Sequence, residues 1–196
     1  MAIKQISYRV KGLDSLLQNN PQMSDPLNKF SKEMKLITGK RKKTDDDIIA
    51  MREVELRAKI YWDDAKGIYV PSTWATASIQ GVSWSKAKIK KADIRAAVFA
   101  TQPKLKLQYD GMELVKKPID IVNNEVFHNV ISMKQGQVRV VKATPKFTNW
   151  SFEVSLDYDD KILNERELKD LIEYGAAFGG FGDFRPTYGR ATIEWL

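Results

Sequence analysis

The chain has 196 residues, of which 43% are hydrophobic and 29% are charged. This length and composition are enough for one domain with a buried core, and they exclude a disordered chain. Because there is no cysteine and only one histidine, disulfides, thiolate metal sites and cysteine nucleophiles are excluded as well.

Charge is unevenly distributed along the chain. Lysine and arginine number 32 against 25 for aspartate and glutamate, which gives a net charge of +7. The segment 153–173 holds eight acids and three bases, a charge of −5, so the remaining residues carry +12. This excess is typical either of a surface that meets a polyanion or of an ordinary solvated surface rich in lysine.

The first third of the chain predicts a strand followed by two helices. Apolar and polar residues alternate over 3–10, which predicts a strand. Asp25 followed by Pro26 predicts the start of a helix that Gly39 ends. Thr44 predicts the N-cap of a second helix, because the three aspartates after it suit the positive end of a helix dipole. The basic residues 40–43 between these helices either contact phosphate or form a solvated turn.

The middle of the chain predicts a strand, a helix, an apolar segment and another strand. Ile68–Pro71 has the pattern of a short strand that ends at a proline, and Ser72–Thr73 is suited to cap the helix that follows. Residues 94–100 are apolar enough to belong to the core. Alternation over 105–109 predicts a strand in front of a turn at Asp110–Gly111.

The last third predicts a hairpin and a strand–helix–strand unit. Residues 138–144 alternate after the turn at Gln135–Gly136, which predicts a protruding hairpin. Residues 150–158 predict a strand, Asn164 caps a helix, and residues 189–195 predict the final strand.

This order of elements fits an α+β fold with a ferredoxin-like core, the core of RNA-recognition motifs. We expect one domain over residues 1–196, with a helical insertion at about 17–67 and a hairpin-containing insertion at about 110–149. No apolar segment approaches the roughly 20 residues that a membrane helix needs, and the N-terminus lacks the apolar core of a signal peptide. A cytoplasmic protein without a membrane partner is therefore expected.

A glycine-rich segment from Gly175 to Arg190 carries two arginines, Arg185 and Arg190. Successive free N–H groups in such a turn form a concave anion site, and guanidinium groups match phosphate oxygens. The alternative is that the glycines only let the last helix pack tightly against the last strand.

Catalytic patterns are missing from the sequence. A lone histidine such as His128 is more often structural than catalytic. The adjacent aspartates 45–47 do not alternate as calcium ligands do, and there is no Ser–His, Cys–His or Walker pattern. We expect no enzyme, no metal site and no cofactor.

Two stretches resemble a known family. The Cas7-like branch of the repeat-associated (RAMP) CRISPR proteins has a strand–helix junction similar to residues 69–77 (Tyr-Val-Pro-Ser-Thr-Trp-Ala-Thr-Ala). Its C-terminal glycine-rich loop is similar to residues 180–190 (Gly-Phe-Gly-Asp-Phe-Arg-Pro-Thr-Tyr-Gly-Arg). Most of the chain also resembles a group of phage and prophage proteins, through Asp25–Asn28, Thr38–Asp45 and Gly182–Arg190.

The resemblance implies a Cas7-like protein of phage origin, located in the cytoplasm of the infected bacterial host. It implies binding of single-stranded nucleic acid in a groove, and homo-oligomers or filaments that assemble along the strand. Whether the strand is RNA or DNA is left open.

The residues themselves predict a binding surface of cations and aromatic rings, as single strands require. The cations that we expect on one positive track are Lys86, Lys88, Lys90, Lys91, Arg139, Lys142, Lys146, Arg185 and Arg190. The aromatic candidates for stacking are Trp84, Phe184 and Tyr188. The competing functions are a protein-interaction module that inhibits or mimics a subunit of a host complex, as an anti-CRISPR protein does, and a structural virion protein.

Overall fold

The structure is a computed structural model that describes residues 3–135 and 137–196, except the side chains of residues 133–135, 138 and 139. The chain divides into two compact units. Unit 1 comprises Met1–Leu16, Asp63–Met112 and Phe147–Leu196, and unit 2 comprises Leu17–Trp62 and Glu113–Lys146. That the two segments of unit 2 are insertions within a single domain stays a prediction.

Helices and antiparallel strands alternate along the described residues, so the predicted α+β class is confirmed. The strands are β1 (Ile3–Gly12), β2 (Leu16–Leu17), β3 (Trp62–Asp63), β4 (Gly67–Pro71), β5 (Val98–Ala100), β6 (Lys104–Lys106), β7 (His128–Gln135), β8 (Val138–Phe147), β9 (Ser151–Asp159) and β10 (Ala191–Trp195). The α-helices are α1 (Lys29–Thr38), α2 (Asp45–Lys59), α3 (Thr73–Ala87), α4 (Lys91–Ala97), α5 (Ile119–Val122) and α6 (Glu165–Tyr174). A π-helical turn, Gly175–Gly179, continues α6.

The main sheet of unit 1 has the strand order β10-β1-β9-β5, and every neighbouring pair is antiparallel. Along the chain, α3 lies between β1 and β5, and α6 lies between β9 and β10. In the sheet, β9 lies between β1 and β5, and β1 lies between β9 and β10, so an antiparallel strand separates the two strands of each βαβ unit. The alternating apolar residues Ile6, Tyr8 and Val10 of β1 are at most 8% exposed, because one face of the sheet is covered.

Two helices of unit 1, α3 and α6, pack against each other. Asn164 caps α6 as predicted, in a capping box with Glu167. At the end of α6, Gly175 allows a close approach, since a Cβ there would lie 3.0 Å from the carbonyl oxygen of Ser78 in α3. Ser72 occupies the N-cap position of α3, but its hydroxyl makes no capping hydrogen bond.

In unit 2, α1 begins later than the sequence predicts. The N-cap is Asn28, whose side chain accepts a hydrogen bond from the Phe30 N–H. The prediction of Asp25 as the cap was wrong, because the Asp25 carboxylate accepts from the N–H of Leu27 in a local turn. Thr44 caps α2 as predicted and forms a capping box with Asp47.

The hairpin of unit 2 pairs β7 with β8 and is longer than predicted. A buried carboxylate of α2, Glu55, accepts hydrogen bonds from the Ala143 N–H at 2.7 Å and the Lys142 Nζ at 2.9 Å. The Nζ of Lys59 lies 3.5 Å from Glu55 and donates to the Ala143 carbonyl. These contacts join the hairpin to α2.

Candidate nucleic-acid interface

The outward face of α3 carries an aromatic ring and an ammonium group beside small residues. Helical spacing places Ala77, Gly81, Trp84 and Lys88 on one stripe, here called the α3 stripe. Trp84 is 58% exposed, and a Cβ added at Gly81 would meet no atom within 4 Å. The Lys88 Nζ lies 5.8 Å from the centroid of the Trp84 ring. The stripe therefore offers an indole face, a cation and open space.

A groove of about 510 Å³ lies between α3 and the glycine-rich segment. Ala77 and Gly81 line it from the α3 side, while Phe178 and Arg185 line it from the other side. Phe178 is 63% exposed. Arg185 is exposed and makes no hydrogen bond or ion pair with a described residue. The groove thus has small residues on one wall and an aromatic ring and a guanidinium group on the other.

Phe178 also lines a smaller cavity of about 260 Å³, together with Lys86 and Tyr174. The rings of Tyr174 and Phe178 have centroids 4.6 Å apart, and the Lys86 Nζ lies 5.3 Å from the Tyr174 centroid. Two acids, Asp170 and Glu173, line the same cavity. Because this cavity has both positive and negative side chains, its charge favours neither an anion nor a cation. The part of it best suited to a binding surface is the exposed ring of Phe178.

The backbone of the glycine-rich segment uses its donors inside the protein. Between Gly180 and Arg190, six N–H groups donate to protein oxygens at 3.1 Å or less, namely those of Gly180, Phe181, Phe184, Tyr188, Gly189 and Arg190. Gly189 has a φ of +77°, and a Cβ there would lie 1.8 Å from the carbonyl oxygen of Phe181. Of the two alternatives for the segment, these residues follow the packing one, because their N–H groups are hydrogen-bonded within the protein.

An aromatic cluster anchors this segment in the core of unit 1. Phe181 is 1% exposed, and its ring centroid lies 5.3 Å from that of Phe152 and 6.0 Å from that of Trp150. The two predicted stacking residues on the segment, Phe184 and Tyr188, are half-buried. Among the three predicted rings, Trp84 is the one that presents most of its surface to solvent.

The two arginines of the segment have different environments. Arg190 is held by Asp14, whose carboxylate oxygens accept from the Arg190 N–H and from its Nε at 3.0 Å each. This ion pair gives Arg190 a structural role in closing the chain onto the loop after β1. Arg185, in contrast, stays available to a ligand.

The predicted lysines of unit 1 surround the end of α3. Lys86, Lys88, Lys90 and Lys91 are all exposed, and none forms an ion pair with a described residue. Lys88 ends α3 in a left-handed conformation with a φ of 58°, and Lys90 is the N-cap of α4. These four cations lie within six positions of the chain, so the structure keeps them close together.

The predicted cations of unit 2 are more constrained. Lys142 is bonded to the buried Glu55, and Lys146 is half-buried. The side chain of Arg139 lies outside the described residues. In the basic residues 40–43, Lys40 forms an ion pair with Asp47, and the hydrogen bond from its Nζ is the main cause that lowers the pKa of that carboxyl group.

Ion pairs occupy the centre of the uncovered face of the main sheet. Arg9 bonds both Glu153 and Glu194, and Lys11 lies 2.6 Å from Glu194. The hydrogen bond from Lys11 is the main cause that lowers the pKa of Glu194, and the bond to Glu153 is the main cause that raises the pKa of Arg9. RNA-recognition motifs stack bases on aromatic residues at the corresponding face, but these central positions are ionic.

Sequence reasoning missed Phe178 and Gly81. Both lie in helical patterns, where an aromatic residue and a glycine are normally assigned to packing. Whether an aromatic side chain is exposed depends on which face of its helix is covered, and long-range packing determines that face. The small residues near Trp84 were the one sequence signal that this face of α3 is open.

Several solved structures match this chain, and the likeness to the one named here is weak. The chain is similar to the crystal structure of Cmr6 from Pyrococcus furiosus over 99% of this chain and 100% of that chain, at 10% sequence identity and a TM-score of 0.41. No family model matches the sequence. No curated protein matches it either. Among the described residues, no helix has the length and apolar character needed to cross a bilayer.

Proposed function

We propose that this chain is a non-catalytic protein that binds single-stranded nucleic acid through the α3 stripe and the groove beside it. The observation that carries the proposal is the exposed indole of Trp84, which contacts the ammonium of Lys88 and shares the α3 stripe with Gly81, a residue of the groove that Arg185 also lines. This combination of ring faces and cations is what binding to a single strand requires.

A single strand suits this surface better than a duplex. An exposed indole stacks on any unpaired base, whereas the bases of a duplex present only their edges in the grooves. Phe178 supplies a second exposed ring at the groove. The small residues Ala77 and Gly81 leave room for a sugar–phosphate backbone beside the rings.

Charge supports the same surface. Lys86 and Lys88 contact aromatic rings, and Arg185 contacts no described acid. One acid, Asp183, lines the groove, and its carboxylate accepts a hydrogen bond from the N–H of Phe184. Within the groove Arg185 and Asp183 balance in charge, so the positive charge of the proposed surface comes from the exposed lysines at the end of α3, Lys86, Lys88, Lys90 and Lys91, which attract phosphate.

Further parts of the proposal rest on the sequence. They are a ferredoxin-like, Cas7-like core, a phage origin, a location in the cytoplasm of the infected host, and assembly of several copies along the strand. The split βαβ order of unit 1 supports the ferredoxin-like core.

A protein-interaction module is the second candidate function. Its support is the set of exposed apolar side chains on unit 2, among which Leu27 is 74% and Leu36 is 77% exposed. Such side chains favour contact with another protein when they form one patch. Recovery of a discrete complex with a host protein, from purified material free of nucleic acid, would favour this function over strand binding.

The test measures the affinity of the full chain for short single-stranded and double-stranded RNA and DNA by fluorescence anisotropy over a series of salt concentrations. A triple variant, Lys86→Ala, Lys88→Ala and Arg185→Ala, removes the cations of the proposed surface. Its control removes three exposed cations of unit 1 elsewhere, Lys106→Ala, Lys161→Ala and Arg166→Ala.

We expect log K for single strands to fall with log salt at a slope of about −2 or steeper, since each phosphate contact contributes about −0.7. The slope should become shallower in the triple variant and change less in the control. Tighter binding of duplexes, or an equal loss in both triple variants, would show that the proposal is wrong.

A further inference from the structure

A third cavity, of about 510 Å³, is formed entirely by residues of unit 2. Its apolar lining includes Phe30, Ile60, Trp62 and Pro118. Phe30 is 8% exposed and Ile60 is 2% exposed, so both are fixed in the core. Apolar and aromatic walls that enclose such a volume are typical of small-molecule sites.

Three cations line the same cavity. The Lys29 Nζ lies 4.9 Å and the Arg57 Cζ lies 5.6 Å from the centroid of the Phe30 ring. Arg57 is also ion-paired with Glu33, whereas the exposed ammonium groups of Lys29 and Lys117 have no ion pair with a described residue. Because the cavity residues include no acid, its charge suits an anion.

Two side-chain amides complete the lining and supply hydrogen-bond acceptors. The Asn20 Nδ2 donates to the Ile60 carbonyl at 3.1 Å, and the Gln22 Nε2 donates to the Ala58 carbonyl at 2.6 Å. These bonds fix the orientation of the amides. The Asn20 Oδ1 and the Gln22 Oε1 accept no hydrogen bond from a described residue, so they are available to a donor on a ligand.

We propose that this cavity binds a nucleoside monophosphate group whose base carries an exocyclic amine, as adenine and cytosine do. The base packs among the aromatic and apolar walls and donates its amine hydrogens to the Asn20 and Gln22 amide oxygens. The phosphate is bound by the ammonium groups of Lys29 and Lys117. The inference concerns unit 2 alone and is independent of the strand-binding surface of unit 1.

The test titrates the full chain with AMP, CMP, UMP, adenosine and inorganic phosphate by calorimetry. We expect saturable binding of AMP and CMP, and clearly weaker binding of UMP, whose base lacks the amine. Adenosine and inorganic phosphate should each bind less tightly than AMP, because adenosine lacks the phosphate and inorganic phosphate lacks the base. Equal affinities for AMP and UMP, or for AMP and phosphate, would contradict the proposal.

A charge-reversal pair locates the site. Lys29→Glu with Lys117→Glu should weaken AMP binding by at least about tenfold, because it removes charge-assisted bonds to phosphate. The control, Lys32→Glu with Lys116→Glu, makes the same change in charge at exposed neighbours that do not line the cavity. Matching melting temperatures of the two variants would show that both are folded, and an equal loss of AMP binding in both would overturn the assignment.

The nucleotide has two possible sources, a free mononucleotide or the end of a strand. A tetranucleotide with a 5′-terminal adenosine 5′-phosphate, tested against the same two variants, distinguishes them. Binding that depends on Lys29 and Lys117 would identify a strand end, while exclusion of the tetranucleotide would identify the free nucleotide. The Trp84→Ala variant should bind AMP with the affinity of the unchanged chain. The strand-binding surface and this cavity can therefore be tested independently of each other.

Discussion

Replacement of Trp84 by alanine is the sharpest test of the proposed strand-binding surface. The indole is 58% exposed, and its described ring contact is the ammonium of Lys88 at 5.8 Å. Loss of one base stacked on an aromatic ring costs about 1–3 kcal/mol. At about 1.4 kcal/mol for each factor of ten, Trp84→Ala should weaken binding of single strands by about 5- to 140-fold.

The control for this variant is Phe99→Ala. Phe99 is 57% exposed, nearly the same fraction as Trp84, but it lies on β5 of the main sheet. Anisotropy titrations with the same labelled single strand should show a change of less than about twofold for Phe99→Ala, within the scatter expected of an uninvolved surface residue. Trp84→Phe should recover most of the affinity, because a phenyl ring still stacks.

Equal losses in Trp84→Ala and Phe99→Ala would refute this reasoning, since the loss would then reflect exposed aromatic area in general. No loss in either variant would refute it too, because the α3 stripe would then lie outside the contact surface. Denaturation of both variants in urea checks that any loss of affinity is not a loss of folding.

Further predictions concern the groove, the hairpin and pH. Gly81→Ala should raise the free energy of unfolding in urea by about 0.5–1 kcal/mol, since the added Cβ meets no atom and alanine favours the helix. Gly81→Leu, in contrast, should obstruct the groove and weaken strand binding without unfolding the chain. Glu55→Gln should lower the free energy of unfolding by about 3 kcal/mol, because Lys59 stays buried beside a neutral group; the exposed Glu53→Gln is its control and should change little. The pKa of Asp47 is lower in the folded chain than in the unfolded chain, where it is about 4. The ionised carboxylate therefore contributes fully to the free energy of unfolding above about pH 4, and this contribution is lost as the pH falls through the pKa of the folded state. Asp47→Asn should remove that part of the acid dependence, as measured by melting temperature against pH.

Local signals predicted several helix boundaries, and they failed where two signals competed. Thr44 and Asn164 cap their helices as expected, and each also forms a capping box because an acid three residues later completes the motif. Asp25 and Asn28 are both suitable caps within four residues. Their sequence does not decide between them, and the structure assigns a local turn to Asp25 and the cap to Asn28.

The candidate site was harder to predict than the helices, because the sequence does not show which lysines and arginines are paired with an acid in the folded chain. Arg190 is neutralised by Asp14, which is 176 positions away, and Lys142 is held by Glu55, which is 87 positions away. No short pattern indicates either partner. Arg185, five residues before Arg190, has no such partner among the described residues. Pairing over long distances in the chain therefore determines which cations are left for a ligand.

The same pairing accounts for why the proposed surface lies on α3 and not on the sheet. On the uncovered sheet face, a phosphate near Arg9 would have to displace Glu153 or Glu194 and would be repelled by the carboxylate it displaced. Beside α3, the contact of the Lys88 ammonium among the described residues is with an aromatic ring, a contact worth about 0.5–1 kcal/mol at an exposed site, and the ring stays available to a base. A strand therefore gains phosphate contacts at α3 without breaking an ion pair. At α3, Lys86 and Lys88 form no ion pair with a described residue and lie within four positions of the exposed ring of Trp84, whereas Arg9 and Lys11 at the centre of the sheet are already matched by Glu153 and Glu194.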